Sequence, residues 1–116
     1  MTTGIQGTLA EKLAAKYLKR KGLILKDRNY RCRRGELDIV MLDNHTVVFI
    51  EVRHRSSAAF GGALESITKQ KQSRLRYAAE HFMLEHKLTD VSARFDIICV
   101  QGRLSNPEIV WIKNAF

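Results

Sequence analysis

The chain has 116 residues, of which 45% are apolar, and its formal net charge is +8. This length predicts a single domain over residues 1–116, with about two-thirds of the unfolded surface buried. No apolar run approaches the roughly 20 residues that a membrane span requires, and residues 1–7 lack the features of a secretory signal. We therefore expect a cytoplasmic protein with no membrane partner, in which Cys32 and Cys99 are reduced thiols.

Hydrophobic periodicity predicts a first helix over residues 5–21, because Leu9, Leu13 and Tyr17 form one i, i+4 row. Gly22 follows at a position typical of a helix end. Residues 23–32 mix polar and apolar side chains in the manner of an edge strand. Residues 36–42 and 46–53 are predicted strands, and residues 43–45 between them have the chemistry of a turn.

The second half of the chain predicts one helix and two strands. Residues 56–62 are predicted to form a flexible loop, and residues 68–87 a helix with an apolar face through Leu75, Ala79 and Phe82. Lys71 lies one turn before Leu75 on the same inward row. Residues 92–100 and 108–113 are predicted strands. The order αβββαββ predicts a mixed α/β fold, with a central β-hairpin in a mixed sheet flanked by two helices.

Two carboxylates, Asp38 and Glu51, lie within the apolar strands of this hairpin. A buried charge is costly unless something pairs with it. Because side chains alternate along a strand, Glu36, Asp38 and Val40 are predicted to share one face. Directly opposed side chains have Cβ atoms about 4.5–5.5 Å apart, so two opposed carboxylates can share one cation.

The turn decides whether the two acids meet. If Asn44 and His45 are its central residues, the predicted pairs are Asp43 with Thr46, Asp38 with Glu51, and Glu36 with Arg53. A turn centred on residues 43–44 is the alternative, and a slip of one residue would place the acids on opposite faces. In the first register, Glu36 is either a partner of Arg53 or a further ligand.

An all-oxygen site of this kind suits Mg²⁺ or Mn²⁺ rather than zinc, and no small-molecule cofactor is expected. A bound divalent cation would polarise a scissile phosphate and lower the pKa of a bound water. A nearby fixed positive charge would stabilise the transition state. The chemistry therefore fits phosphodiester hydrolysis.

Basic residues flank the two strands that contain Asp38 and Glu51, which favours nucleic acid as the partner. We expect DNA to contact six of them: Arg31, Arg33, Arg34, Arg55, Lys69 and Arg74. His54 is a weaker candidate for a phosphate contact. Asp96, between two apolar strand residues, is predicted to be a buried hydrogen-bonding or ion-pairing group.

Several sequence segments, taken in their order and spacing, resemble the PD-(D/E)xK nuclease superfamily. They are the helix over residues 11–18, Asn29-Tyr30-Arg31, Gly35-Glu36-Leu37-Asp38, Val48-Phe49-Ile50-Glu51-Val52-Arg53, Lys71-Gln72 with Arg74-Leu75, and Arg94-Phe95-Asp96. Within the superfamily the chain resembles the YraN-like family of bacterial proteins, which is similar to archaeal Holliday junction resolvases. The resemblance covers nearly the whole chain and implies a restriction-endonuclease-like core.

The resemblance also implies roles for single residues. Metal ligands would be Asp38, Glu51, Glu11 and the Val52 carbonyl, and catalytic residues would include Lys71 and Arg53. Arg53 stands where the superfamily usually has lysine. Arginine cannot lose a proton, so Arg53 cannot be a general base, although its planar fork can orient a phosphate.

The leading hypothesis is a divalent-metal-dependent endonuclease acting on DNA, in particular branched DNA. Symmetric cutting of two strands would require a homodimer. One alternative is a nucleic-acid-binding module of the same fold with weak or absent hydrolysis, which Arg53 motivates. Another is a structural partner in a DNA-processing or ribosome-associated assembly.

Overall fold

The computed structural model describes residues 4–55 and 65–116, with side chains from residue 7 onward. The predicted loop over residues 56–62 lies outside the described residues. The elements are α1 (Gly4–Arg20), β1 (Ile24–Cys32), β2 (Gly35–Asp43), β3 (Thr46–Arg55), α2 (Lys69–Glu85), β4 (Ala93–Gln101) and β5 (Glu108–Ile112). The predicted order αβββαββ is confirmed, with boundaries shifted by one or two residues.

The strands form one five-stranded mixed sheet in the order β1-β2-β3-β4-β5. The neighbours are antiparallel except β3 and β4, which are parallel. A parallel pair needs a crossover connection, and α2 lies between β3 and β4 in the chain. The predicted mixed α/β class is therefore confirmed.

Two hydrophobic clusters show where the helices lie on the sheet. Ala10, Ala14 and Leu18 of α1 pack in one cluster, and Leu75 and Phe82 of α2 pack in the other. Each helix thus covers its own cluster of sheet residues. Neither helix has the length and apolar character to cross a bilayer, a finding limited to the described residues.

The β2–β3 turn has the register that brings the two acids close. Asp43 pairs with Thr46, and Asn44 between them has a φ of 55°. Asparagine tolerates this left-handed conformation better than most residues. The prediction that residues 44–45 are the turn centre is confirmed, and the alternative centre is wrong. The paired register ends at Ile39 with Ile50, one step before Asp38 and Glu51.

Strict alternation along β2 is interrupted near Asp38. Leu37 packs in the same cluster as Val40, whereas Ile39 packs in the other cluster. The prediction that residues 36, 38 and 40 form one regular face is therefore wrong. In the neighbouring strand, Asn29 has a φ of 55° at this level, between the pairs that Arg28 and Tyr30 form with β2. A left-handed residue does not continue a pleated strand, so the irregularity involves both strands.

Candidate metal and nucleic-acid site

Asp38 and Glu51 meet in the protein interior at the end of the β2–β3 ladder. Their exposed fractions are 7% and 6%, and a hydrogen bond joins their carboxyl groups. The backbone N–H of Val52 donates to Oδ2 of Asp38 at 2.9 Å. The predicted proximity of the two acids is thus present, although the hydrogen bond to Val52 stands where a further ladder pair would be.

Burial raises the pKa of both carboxyl groups. For Glu51, burial and then the charge of Asp38 raise the pKa to about 7, while Lys71 and Arg53 act in the opposite direction. Two carboxylates that share a site cannot both ionise easily. Below a pH of about 7 the pair therefore holds a proton, which a bound cation would displace.

Two basic side chains contact the same oxygen of Glu51. The Nζ of Lys71 lies 3.6 Å from Oε2, and a terminal nitrogen of Arg53 lies 3.2 Å from it. Lys71 is in the first turn of α2, where the Thr68 side chain caps the helix by accepting a hydrogen bond from the Lys71 backbone N–H. The buried Nε of Arg53 has no hydrogen-bond partner among the described residues.

Glu11 reaches this region from α1, on the other side of the sheet. It is 4% exposed. Burial and the charge of Asp38 raise the pKa of Glu11, while Arg28 and a hydrogen bond from Asn29 lower it. A terminal nitrogen of Arg28 lies 4.0 Å from Oε1 of Glu11. The helix position predicted Glu11 correctly as bordering the buried face.

Arg28 and Asn29 are contacts of Glu11 that the sequence analysis missed. An asparagine inside a predicted strand was an available signal, because strands disfavour this residue. Asn29 adopts a φ of 55° and its amide reaches Glu11. Together the two residues hold Glu11 against β1.

The four oxygen donors implied by the resemblance are not gathered into one ligand set. Within residues 4–55 and 65–116, no three acidic, histidine or cysteine side chains are arranged to hold a metal ion. Asp38 and Glu51 contact each other, and Glu11 contacts β1. The N–H and C=O groups of one strand residue point to the same edge. The Val52 carbonyl is thus on the edge that faces Asp38.

A groove of about 670 Å³ is lined by Lys71, the residue that contacts Glu51. Its walls are the β1–β2 turn and the start of α2, and its lining includes Arg31, Arg33, Arg34, Lys71 and Arg74. Four of the six predicted nucleic-acid contacts thus share one groove, and Lys71 connects that groove with Glu51.

The two remaining candidates for nucleic-acid contacts lie apart from this groove. Arg55 ends β3, and its carbonyl accepts a hydrogen bond from the Gly102 N–H at 2.7 Å. Lys69 is exposed at the start of α2. Neither residue lines the groove. His54 places its Nε2 3.4 Å from the Gly102 carbonyl.

Glu36 pairs with β1 and not with β3. Its Oε2 lies 3.5 Å from Nε of Arg31, its register partner on β1. Arg53 forms its ion pair with Glu51. The predicted Glu36–Arg53 pair is therefore wrong, because the β2–β3 ladder ends before it reaches these residues.

Gly35 sets the distance between the β1–β2 turn and α2. A Cβ added at this position would lie 2.6 Å from the backbone carbonyl oxygen of Arg74. Only glycine allows the two backbones to approach so closely. This contact holds the arginine-bearing turn against the helix and so shapes the groove.

Comparison with known proteins places the chain in a family. A family model described as "Uncharacterised protein family UPF0102" matches residues 10–100. The chain belongs to the UPF0102 family. This is the YraN-like family that the sequence resembles, so the family prediction is confirmed, while membership of the nuclease superfamily stays a prediction.

UPF0102 relatives are similar to the chain over nearly its whole length. A UPF0102 protein of Nitrosomonas europaea is 49% identical over 115 residues, which cover 99% of this chain and 96% of the relative. One from Methylococcus capsulatus is 45% identical over 111 residues, covering 96% and 89%. One from Pseudomonas putida is 48% identical over 112 residues, covering 95% and 91%.

In this UPF0102 chain, Asp96 has a structural environment away from the groove. It is fully buried and accepts hydrogen bonds from Nε of Arg94, Nε1 of Trp111 and the backbone N–H of Asn114. The prediction of a buried hydrogen-bonding group is confirmed. Cys32 and Cys99 are free thiols.

Proposed function

We propose that this UPF0102 protein is a divalent-metal-dependent nuclease that cuts DNA held in the basic groove. The observation that carries the proposal is the buried Asp38–Glu51 pair, in which Glu51 contacts Arg53 and Lys71, and Lys71 also lines that groove. A structural ion pair would not require two buried carboxylates side by side, where the charge of Asp38 raises the pKa of Glu51. A site for a divalent cation does, because the cation offsets their repulsion.

The chemistry of these donors suits Mg²⁺ or Mn²⁺, which prefer hard oxygen ligands. Asp38 and Glu51 would hold the ion, with the Val52 carbonyl as a further donor. Glu11 would join them only by leaving its contact with Arg28. When bound, the ion would polarise the scissile phosphate and lower the pKa of a bound water. The proton that the two carboxyl groups hold below a pH of about 7 would leave as the ion enters.

Lys71 and Arg53 supply fixed positive charge beside the reacting phosphate. Each contacts Oε2 of Glu51, so only the Glu51 side chain would separate each of them from the proposed ion. The Arg53 side chain is 25% exposed, and its planar fork can donate hydrogen bonds to a phosphate oxygen. These residues would stabilise the added negative charge of the transition state.

The groove arginines would hold the DNA backbone. Arginine forms bidentate hydrogen bonds with phosphate, and such contacts position a duplex without reading its sequence. Arg31, Arg33, Arg34 and Arg74 line the groove. Binding should therefore weaken steeply as salt concentration rises. Symmetric cutting of a branched substrate would require two copies of the chain, which sedimentation with and without DNA would detect.

A second candidate function is DNA binding without hydrolysis. The observation that favours it is the arginine at position 53 together with the ion pairs that already occupy Glu51. In that case the carboxylates would hold Lys71 and Arg53 in place for phosphate. The two candidates share the groove and differ in whether a metal ion changes the DNA.

One experiment separates them. Linear duplex, flap and four-way-junction DNA are incubated with the protein in Mg²⁺, Mn²⁺ or chelator, alongside Asp38→Asn and Glu51→Gln. The matched controls are Asp90→Asn and Glu80→Gln, which change exposed acids of the same types. Metal-dependent cleavage that both site variants lose and both controls keep supports the nuclease.

Two other results decide against it. If no DNA is cut while all variants bind it with the same affinity, the hydrolytic proposal fails and the binding module stands. If the wild-type protein binds no DNA even at low salt, both functions fail. The remaining hypothesis would then be a structural role in a larger assembly.

A further inference from the structure

A column of aromatic and planar side chains adjoins the basic groove on α2. The guanidinium of Arg34 lies 5.4 Å from the ring centroid of Tyr77. The ring of Tyr77 lies 6.3 Å from that of His81, with 32° between the ring planes. We call Arg34, Tyr77 and His81 the stacking column.

The column belongs to the surface and not to the core. Arg34 and His81 are exposed and Tyr77 is half-buried. Tyr77 is in neither hydrophobic cluster of the described residues, whereas its neighbour Ala78 is fully buried in one. The column therefore does not owe its position to apolar packing alone.

The far end of the column is anchored to the sheet. The hydroxyl of Tyr30 on β1 lies 2.7 Å from Nδ1 of His81. The ring of Tyr30 packs edge-on against Phe82, with centroids 5.1 Å apart. His81 is thus held by a side chain that is itself fixed on the core.

The column continues the line of basic residues that begins at the carboxylate pair. Lys71, Arg74, Tyr77 and His81 follow each other at spacings of three or four along α2, so each is a neighbour of the next on the helix surface. Lys71 contacts Glu51 at one end of this series. At ~1.5 Å per residue, Tyr77 lies ~9 Å further along the helix axis. A nucleic-acid strand with a phosphate near Lys71 would thus extend toward Tyr77.

We propose that the stacking column binds an unpaired nucleobase beside the cleavage position, so that the preferred substrate is DNA with a displaced strand, such as a flap. The inference rests on the proposed function, since it requires DNA in the groove. Every base has a π face and stacks on aromatic rings with little regard to sequence. The guanidinium of Arg34 already lies over the ring of Tyr77, at 5.4 Å from its centroid, and a guanidinium can stack on an aromatic face. A base within a continuous duplex is stacked on its neighbours, so a fully paired four-way junction offers none to the column.

The test measures binding in chelator, where cleavage cannot interfere. The DNA probes are a fluorescent flap, the same flap with an abasic residue at each unpaired position in turn, and the matched continuous duplex. The proteins are the wild type, Tyr77→Ala, Tyr77→Phe and Arg34→Gln. Because the abasic probes need no change to the protein, the test does not depend on whether Tyr77→Ala folds.

We expect one abasic position to weaken flap binding by the wild type about fivefold or more, the factor that corresponds to roughly 1 kcal/mol for a stacked base. Tyr77→Ala should lose the same factor on the intact flap, lose nothing further on that abasic flap, and bind duplex as the wild type does. Tyr77→Phe should bind the flap normally, because it keeps the ring. Arg34→Gln should lose more affinity for the flap than for the duplex.

The inference is overturned if no abasic position changes the affinity, or if Tyr77→Ala weakens flap and duplex equally. Both results leave DNA binding, and with it the proposed function, intact. If the wild type binds neither flap nor duplex, the proposed function itself has failed, and the proposal for the stacking column fails with it.

Discussion

The backbone N–H of Val52 donates a hydrogen bond to the carboxylate of Asp38 at 2.9 Å, across the β2–β3 boundary where the paired register has already ended. The Asp38 side chain thus accepts a hydrogen bond from β3 where the backbone pairing has ended, and it does so where the proposed metal ligands lie. The same carboxylate would have to serve the backbone and the ion, which is possible because it has two oxygens.

This hydrogen bond predicts different stabilities for two variants that remove the same charge. Asp38→Ala leaves the buried Val52 N–H without its acceptor, whereas Asp38→Asn keeps an oxygen there. We expect Asp38→Ala to be less stable than Asp38→Asn by about 1–3 kcal/mol, the cost of an unsatisfied buried group. Urea unfolding in chelator measures the difference. Equal free energies of unfolding would show that the contact contributes nothing.

The raised pKa of Glu51 predicts that the metal-free protein loses stability as pH rises. The pKa is about 7 in the folded protein against 4.5 for an ordinary glutamate. Between these values the folded protein binds more protons than the unfolded chain, so the free energy of unfolding falls with increasing pH. Mg²⁺, which requires the ionised pair, should stabilise the protein more at about pH 8 than at about pH 5.5.

Thermal unfolding across this pH range, in chelator and in Mg²⁺, tests the linkage. Glu51→Gln should show a flatter dependence of Tm on pH in chelator and no stabilisation by Mg²⁺. Glu80→Gln, at an exposed position, should follow the wild type in both. Wild-type curves that run parallel with and without Mg²⁺ would argue against metal binding by this pair.

The two basic neighbours of Glu51 should shift this pH dependence by unequal amounts. Both lower the pKa of Glu51, and Lys71 has the larger effect. Lys71 also lowers the pKa of Asp38, so it faces both carboxyl groups. Replacing it should therefore affect the shared proton more than replacing Arg53.

We expect Lys71→Met to move the midpoint of the Tm–pH dependence in chelator to higher pH, and Arg53→Met to move it less in the same direction. Lys69→Met, which removes an exposed lysine two residues away, should leave the midpoint unchanged. A larger shift in Arg53→Met than in Lys71→Met would mean that Arg53 is the main partner of the pair.

Local patterns were sufficient to predict the helices and the hairpin register. The apolar rows of α1 and α2 follow the 3.6-residue period, and Asn44 has the turn conformation that places Asp38 near Glu51. These features depend on residues close together in the sequence. The turn residues alone were sufficient to predict that Asp38 and Glu51 lie close together.

Contacts between distant elements could not be predicted in this way. Glu36 pairs with Arg31 because the β2–β3 ladder ends early, and the ending coincides with the left-handed Asn29 on a third strand. The column formed by Arg34, Tyr77 and His81 requires that the β1–β2 turn meet α2, which the close approach at Gly35 permits. Hydrophobic periodicity describes one helix or strand at a time and does not show which elements contact each other in the fold.

Asp96 predicts a stability defect that leaves metal binding unchanged. Its carboxylate accepts hydrogen bonds from Arg94, Trp111 and Asn114, and so ties β5 and the residues after it to β4. Asp96→Ala would leave Nε of Arg94, Nε1 of Trp111 and the Asn114 N–H without this acceptor, while Arg94 keeps its ion pair with Asp43 at 3.0 Å. We expect a loss of about 1–3 kcal/mol, the cost of unsatisfied buried groups, and a smaller loss for Asp96→Asn, which keeps one acceptor oxygen. Trp111 is the single tryptophan of the chain, so its fluorescence reports directly on this network during urea unfolding. Mg²⁺ should raise the Tm of Asp96→Asn as much as that of the wild type, and a smaller rise would mean that Asp96 takes part in the metal site.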